Sequence, residues 1–408
     1  MNRNIVQDRI RWFLLSCFGF ISSLAKYENT EFGLIAPSLA FPLEQLRANG
    51  RPLAIALLVL LLIIALNSPN PKGKLSTPEP IIYLWIVQSV ILIKTLDGGD
   101  IIAGSLVFAI FSSVVIMHLR GPAVWIQDER SLRLGFWAIA MVGVIFSIAN
   151  LYQARVNLAA ITFVMGWFHG TTANPQACGL LIAMTIPSII CLIYYDYPVL
   201  WKRVFWILIL SILFLGLYKT ASRTSMIMTF VGILFFFRYR MGSIFIPTVF
   251  GLVTIYFILS FTDFNIQAED PTMTKISAFQ NTRELVWQSQ LNMFIANPLF
   301  GSPLTGDRMR FGENSWLGVA SGLGLSGLIP MLIFGWLVIQ KIISLDKIAK
   351  KNPNYYVYCS SISAGLISMM IGSISEAFLL ANLNFYLYAL LQYLILSQCM
   401  EKNRAINN

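Results

Sequence analysis

Four ionic residues carry most of the chemical potential of this chain: His169, Arg223, Arg283 and Glu313. Arginine offers a planar fork of donors that matches phosphate oxygens, and carboxylate or imidazole can take a proton from an attacking hydroxyl. Three short polar motifs hold three of these residues and their neighbours. They are His169-Gly170-Thr171-Thr172-Ala173-Asn174-Pro175, Ala221-Ser222-Arg223-Thr224-Ser225 and Gly312-Glu313-Asn314-Ser315. Each immediately precedes a long apolar run. Asn174 can cap the helix that follows, with Pro175 at its first position. Ser222 and Asn314 stand at the other two starts, where unpaired N–H groups and the positive dipole end suit an anion.

The elements that must position these residues follow from composition. Hydrophobic residues make up 57% of the 408 residues and charged ones 12%, with a mean hydropathy of +0.69. A soluble domain of ordinary composition is ~45–50% apolar and ~25% charged, so membrane is the solvent that fits. A spanning helix needs ~20 mostly apolar residues. Spans are expected at about 10–26, 51–67, 80–96, 100–118, 134–151, 177–195, 203–219, 224–238, 241–261, 315–340, 355–377 and 380–399. The expected fold is thus an all-α polytopic helix bundle of about twelve spans, a single integral membrane domain over 1–408. The first apolar run lacks a small-residue cleavage pattern and is expected to stay as an anchor.

The net charge of +10 is not a nucleic-acid signal here, because the cations cluster at the ends of apolar runs. Lys72/Lys74, Arg130/Arg133, Lys202/Arg203, Arg238/Arg240 and Lys347/Lys350/Lys351 all fall inside if both termini are cytoplasmic, as the positive-inside bias demands. The His169, Arg223 and Glu313 motifs then face outward, as does one large loop, about 262–314. That loop carries six acidic residues against four basic ones. It contains an expected surface helix from Thr282 to Ala296, with Trp287, Leu291, Phe294 and Ile295 as its apolar stripe. Asn281 or Thr282 could cap this helix, and Asn297-Pro298 would stop it. Arg283 lies in its first turn.

Each residue also has a plainer role. An arginine at a span end can snorkel to headgroups, Arg283 can pair with Glu284, and Glu313 can be a carboxylate favoured by a helix dipole. Glu376, near the outer end of the eleventh span, can be a buried polar anchor. Asp97 and Asp100 flank a glycine pair and are expected to form a tight turn. The five cysteines are scattered without ligand spacing, and no metal or cofactor site is expected.

Taken jointly, the motifs resemble those of the O-antigen ligase and O-antigen polymerase family of integral membrane glycosyltransferases. His169 through Gln176 is similar to the family's basic-residue, Gly-Thr, Asn-Pro-Asn stretch, and Ser222-Arg223-Thr224-Ser225 to its Ser-Arg helix start. Arg283, Trp287 and Asn297-Pro298-Leu299-Phe300-Gly301 resemble its Arg…Trp…Asn-Pro-Leu-x-Gly run. Glu313-Asn314-Ser315-Trp316-Leu317, followed by Gly322-Leu323-Gly324-Leu325-Ser326-Gly327-Leu328, is similar to its His-Asn-x-Tyr-Leu…Gly-Leu-x-Gly segment. Two positions depart: His169 stands where ligases have arginine, and Glu313 where they have histidine.

The resemblance implies transfer of a glycan from an undecaprenyl-diphosphate donor to a sugar hydroxyl, with inversion, at the outer face of a bacterial plasma (inner) membrane. Arg223 and Arg283 would bind the diphosphate. Glu313 or His169 would be the base, with Asn174, Ser222, Asn314 and Glu376 in support. No DxD occurs in the outer loops, so metal-independent catalysis is expected. Glu313 looks more like the polymerase branch than the ligase branch. Expected partners are the lipid-linked oligosaccharide, membrane lipid and a chain-length regulator or flippase, with no nucleic acid. A transporter or flippase is the alternative of a different class, although no internal repeat is visible.

Overall fold

The computed structural model describes residues 2–26, 28–29, 34–35, 37–68, 77–162, 166–196, 198–245, 247–248, 283–304, 312–380 and 383–407. The chain forms a helix bundle: α1 (Asn2–Ile21), α2 (Leu43–Ala48), α3 (Gly50–Leu66), α4 (Glu79–Asp97), α5 (Ile101–Arg120), α6 (Pro122–Trp125) and α7 (Glu129–Val156). It continues with α8 (Pro175–Tyr195), α9 (Leu200–Thr220), α10 (Arg223–Met241), α11 (Glu284–Ala296), α12 (Ser315–Lys351), α13 (Tyr356–Ser375) and α14 (Phe385–Asn407). A two-residue antiparallel pair, Glu28–Asn29 with Leu34–Ile35, is the one extended element among the described residues.

Seven of the described helices are long and apolar enough to cross a membrane, over Glu79–Asp97, Ile101–Trp125, Glu129–Val156, Pro175–Tyr195, Leu200–Thr220, Ser315–Lys351 and Pro353–Ser375. This is the composition of a membrane protein. Helix α3, with 17 residues, is apolar but shorter. Helices α1, α10 and α14 carry charges within their length, such as Arg9 and Arg11, Arg238 and Arg240, and Glu401 and Lys402. Most of the ninth expected span, and residues 249–282 and 305–311, lie outside the described residues, as do the expected caps Asn281 and Thr282.

Where a helix faces neighbours on all sides its apolar residues are continuous. Where it faces outward they form an exposed stripe. Helix α8 is almost wholly buried, whereas Leu325, Ile329, Leu332, Trp336, Ile339 and Ile343 stay exposed along α12. Small residues close the inner contacts, as is common between membrane helices. Gly232 of α10 meets Ser368 of α13, whose Oγ donates to Met228 O at 2.8 Å, and Gly372 meets the Met228 side chain. Arg133, Arg238, Arg240 and Lys341 gather at one end of the bundle. There Arg238 pairs with Asp346, which also accepts from Tyr239 Oη at 2.6 Å, and Lys341 pairs with Glu401.

One helix is broken. Helix α12 departs from helical geometry at Gly324, with φ 63° and ψ −154°. The loop after α11 fills the break. Ser302 N–H donates to Ser321 O at 2.8 Å, Leu325 N–H to Pro298 O at 2.8 Å and Ser326 N–H to Leu299 O at 3.2 Å. The two glycine motifs must touch backbone to backbone for this exchange. A Cβ on Gly301 would lie 2.4 Å from Gly322 C, and one on Gly324 would lie 2.5 Å from Leu299 C.

Gly324→Ala should therefore lower the thermal stability of the purified protein more than Gly166→Ala does. Gly166 also has positive φ (75°) but nothing within 4 Å of its Cβ position. The control carries only backbone strain of ~1–3 kcal/mol, and the Gly324 variant adds a steric collision. A fluorescence-monitored melt in detergent gives the comparison, and equal melting points would show the two loops to be separable.

Candidate functional site

The helix starts behave as their sequences dictate. Asn174 Oδ1 accepts from Ala177 N–H at 2.7 Å, with Pro175 in the first turn of α8. Asn314 Oδ1 accepts from Trp316 and Leu317 N–H at 2.8 and 3.0 Å, opening α12. Ser222 caps α10 through Ser225 N–H at 3.4 Å, and its Oγ lies 2.9 Å from Ser225 Oγ. Each cap satisfies donors that the helix itself cannot.

These starts, together with the end of α13, lie at the end of the bundle opposite the basic cluster. Arg283, the residue before α11, is the hub. Its Nε lies 3.0 Å from Glu313 Oε2, its Nη2 pairs with Glu376 Oε1, and its Nη1 donates to Ser375 O. Ser315 Oγ donates to Glu376 O at 2.7 Å, and Trp316 Nε1 to Ser373 Oγ at 2.9 Å. The side chains of Arg283 and Glu376 are 14% and 13% exposed, whereas Glu313 is 40% exposed and is the accessible carboxylate. Three chain segments far apart in sequence thus share one charge cluster.

Arg223 opens α10 and is half-buried. The α10–α13 register, Gly232 beside Ser368 and Met228 beside Gly372, puts Arg223 and Thr224 at the level of Ser375 and Glu376. The start of α8 reaches the same place, because Gly179 packs directly on Ser222 and Ser225. Arg223, Ser222, Asn174, Arg283, Glu313, Asn314 and Glu376 therefore converge on one end of the bundle.

His169 is placed differently. Its imidazole has no solvent exposure, and the backbone N–H of the same residue donates to Ile161 O at 2.9 Å. Burial, with a further push from the Arg47 guanidinium, lowers its pKa to about 4. It is therefore neutral at physiological pH and a weak proton acceptor. Because a neutral imidazole suits the fold and a charged one does not, stability from this residue is full above its ordinary value of about 6.5. That stability is lost as pH falls toward 4.

The surface helix divides its apolar stripe between two faces. Trp287 and Phe294 are half-buried, and Gln290, at 3% exposure, joins them, while Leu291 and Ile295 lie on the exposed flank. The reason is Gly312, at φ 65°, which folds onto Gln290 so closely that a Cβ would come within 2.3 Å of its Nε2. The helix start has no side-chain cap, with Arg283 at that position, and Asn297 ends the helix.

Two cations matter here that the motif reading passed over. Lys94, in the last turn of α4, donates to Ser302 O at 2.6 Å and to Gly322 O, sealing the break in α12. A lysine within an apolar run was the available signal. Arg47 is buried beside His169 and paired with Glu44, whose Oε2 accepts from Leu39 N–H at 2.8 Å. No local pattern marks it. Asp97 and Asp100 flank a tight turn, with Gly99 at φ 84° and Asp100 capping α5. Among the described residues no three His, Cys, Asp or Glu side chains gather as a metal site requires.

Compared with models of known protein families the chain matches none, and no curated protein matches it.

Two outcomes follow from this geometry. The melting point of the wild type minus that of His169→Gln should shrink as pH drops from about 6.5 to about 4, and a difference that is flat with pH would contradict a buried neutral imidazole. Lys94→Met should destabilise the protein by ~1.5–3 kcal/mol, the worth of hydrogen bonds to a charged group, whereas Lys94→Arg keeps a donor and most of the stability. Chemical denaturation of the two variants side by side tests this.

Proposed function

We propose that this chain is a glycan polymerase of the O-antigen ligase and polymerase type. It transfers a saccharide from an undecaprenyl-diphosphate donor to a sugar hydroxyl of a second lipid-linked unit. The observation that carries the proposal is the meeting of Arg283, Glu313 and Glu376 beside the start of α10, with the Asn297–Gly301 loop seated in the Gly322–Gly324 break. These are the segments on which the family resemblance rests.

In this reading the acceptor hydroxyl attacks the anomeric carbon, the bond from that carbon to the diphosphate oxygen breaks, and the lipid diphosphate leaves. Glu313, the accessible carboxylate, takes the hydroxyl proton, a role worth ~10²–10⁴-fold. Arg223, at a helix start, compensates the charge growing on the diphosphate. Arg283 has its fork committed to Glu313, Glu376 and Ser375 O, so its first task is to hold Glu313 in place. It reaches the diphosphate only if a phosphate oxygen exchanges with one of those partners. His169, buried and neutral, is assigned no proton transfer. Catalysis needs no metal in this scheme.

The bundle would carry about twelve spans in a bacterial inner membrane, with both termini cytoplasmic and the site facing the periplasm or exterior. The support is that Arg133, Arg238, Arg240 and Lys341 lie at the end away from the site, as the positive-inside bias requires. A chain-length regulator or flippase is the expected protein partner.

The broken α12 favours one other reading, since transporters use discontinuous helices to hold their cargo. Against it, the freed backbone groups at this break are taken by Lys94 and residues 298–302. That leaves the transferase as the better account.

Purified protein given a synthetic diphospholipid oligosaccharide should build a ladder of longer products. Glu313→Gln and Arg223→Ala should each reduce the rate by at least ~10²-fold while folding normally. Substrate flux across vesicles without any ladder would favour the transporter, and attachment of finished glycan to lipid A core would favour a ligase.

A further inference from the structure

Away from the site, the bundle interior holds polar side chains that the proposed reaction does not use. His118 of α5 and Tyr388 and Gln392 of α14 have no solvent exposure. The His118 and Tyr388 rings lie 5.7 Å apart, edge to face at 64°. Gln392 follows Tyr388 by about one turn, on the same side of the helix. Helix α7 closes in through Gly135, where a Cβ would come within 3.2 Å of Gln392 Nε2.

The hydrogen-bond roles can be assigned. His118 Nδ1 lies 2.9 Å from Val114 O. A carbonyl only accepts, so Nδ1 carries the proton and Nε2 is a bare acceptor. His118 Nε2, Tyr388 Oη and both amide atoms of Gln392 have no hydrogen-bond partner among the described residues. Buried polar atoms are almost always satisfied, and an imidazole inside a membrane helix bundle is costly without such satisfaction.

The chemistry of this set selects its occupant. A metal cation would meet the amide N–H₂ of Gln392, and an anion would meet the lone pair of His118 Nε2. Water suits every member: it donates to Nε2 and to Oε1, and accepts from the Tyr388 hydroxyl and the Gln392 amide. We infer that His118, Tyr388 and Gln392 line a hydrated site inside the bundle, where ordered water bridges α5 and α14 beside α7. This assignment is independent of the transferase reading.

Radiolytic hydroxyl-radical footprinting of the full-length protein in detergent tests it, because radicals formed from bound water label the side chains beside it. Tyr393 and Tyr386 are internal controls. Both are buried, and both donate to protein carbonyls, Met184 O at 2.9 Å and Met369 O at 2.7 Å. Tyr388 should be oxidised on the millisecond scale while the controls stay protected. Tyr388→Phe should also lower the melting point by about 2 °C or more, since it strands a water and its partners. Where that variant fails to fold, Gln392→Leu replaces it. Protection of Tyr388 equal to that of Tyr393 overturns the proposal, as does a melting point raised by Tyr388→Phe.

Discussion

The Pro298–Ser302 loop, seated in the break of α12, is the contact on which the candidate site depends. A helix interrupted inside an apolar bundle leaves carbonyls and N–H groups with no water to turn to, and each would cost several kcal/mol. Here a second stretch of backbone supplies the partners, and Lys94 supplies a charge where the first half-helix presents its negative end. The consequence reaches further than local satisfaction. The loop is the continuation of α11, whose first neighbour is Arg283, and the first half of α12 begins just after Glu313. Joining loop and break fixes both partners of the ion pair from their far ends.

The charge cluster itself is a trade between attraction and desolvation. One guanidinium faces two carboxylates, and Arg283 and Glu376 are both largely withdrawn from solvent. Partly buried pairs of this kind repay their desolvation only when geometry is good and the remaining donors are occupied. Arg283 meets that condition through Ser375 O, and Glu376 is steadied through its own carbonyl by Ser315. Glu313 is the partner left with solvent access. The arrangement therefore separates a fixed pair from an accessible carboxylate, which is what a proton acceptor beside an incoming hydroxyl needs.

Much of this was legible in the chain. Apolar run lengths placed most of the described helices within a few residues, but α1 (Asn2–Ile21) starts well before its expected span, and α12 (Ser315–Lys351) and α14 (Phe385–Asn407) run well past theirs. Asn174, Ser222 and Asn314 cap where their positions before the runs indicate. Local signals suffice there because a cap is a contact between residues two or three apart. The insertion of one glycine motif into another was not legible, because close backbone approach between residues about 20 apart leaves no periodic trace. The burial of Gln290 was not legible for a related reason: its neighbour Gly312 lies beyond the helix, while Leu291 and Ile295 stay on the exposed flank, where a helix lying on a bilayer presents its apolar residues. His169 belongs to a motif expected to face outward as a candidate base, and its burial depends on three-dimensional packing that the motif does not encode.

The two ends of the bundle use different means to the same result, and the difference bears on where chemistry can occur. At the basic end, long side chains pair across helices, Arg238 with Asp346 and Lys341 with Glu401, so those two cations are neutralised. At the opposite end the fastening is done mostly by backbone groups, caps and small residues. Gly179 under Ser222 and Ser225, Gly312 over Gln290 and Gly301 against Gly322 let the chain approach closely, and Arg283 and Lys94 add charged contacts to the same end. Ser222 and Asn314 cap their helix starts, with Arg223 and Glu313 beside them. A charged group beside a capped helix start, where the helix dipole favours anions, is the combination from which a binding site for a charged lipid can be built.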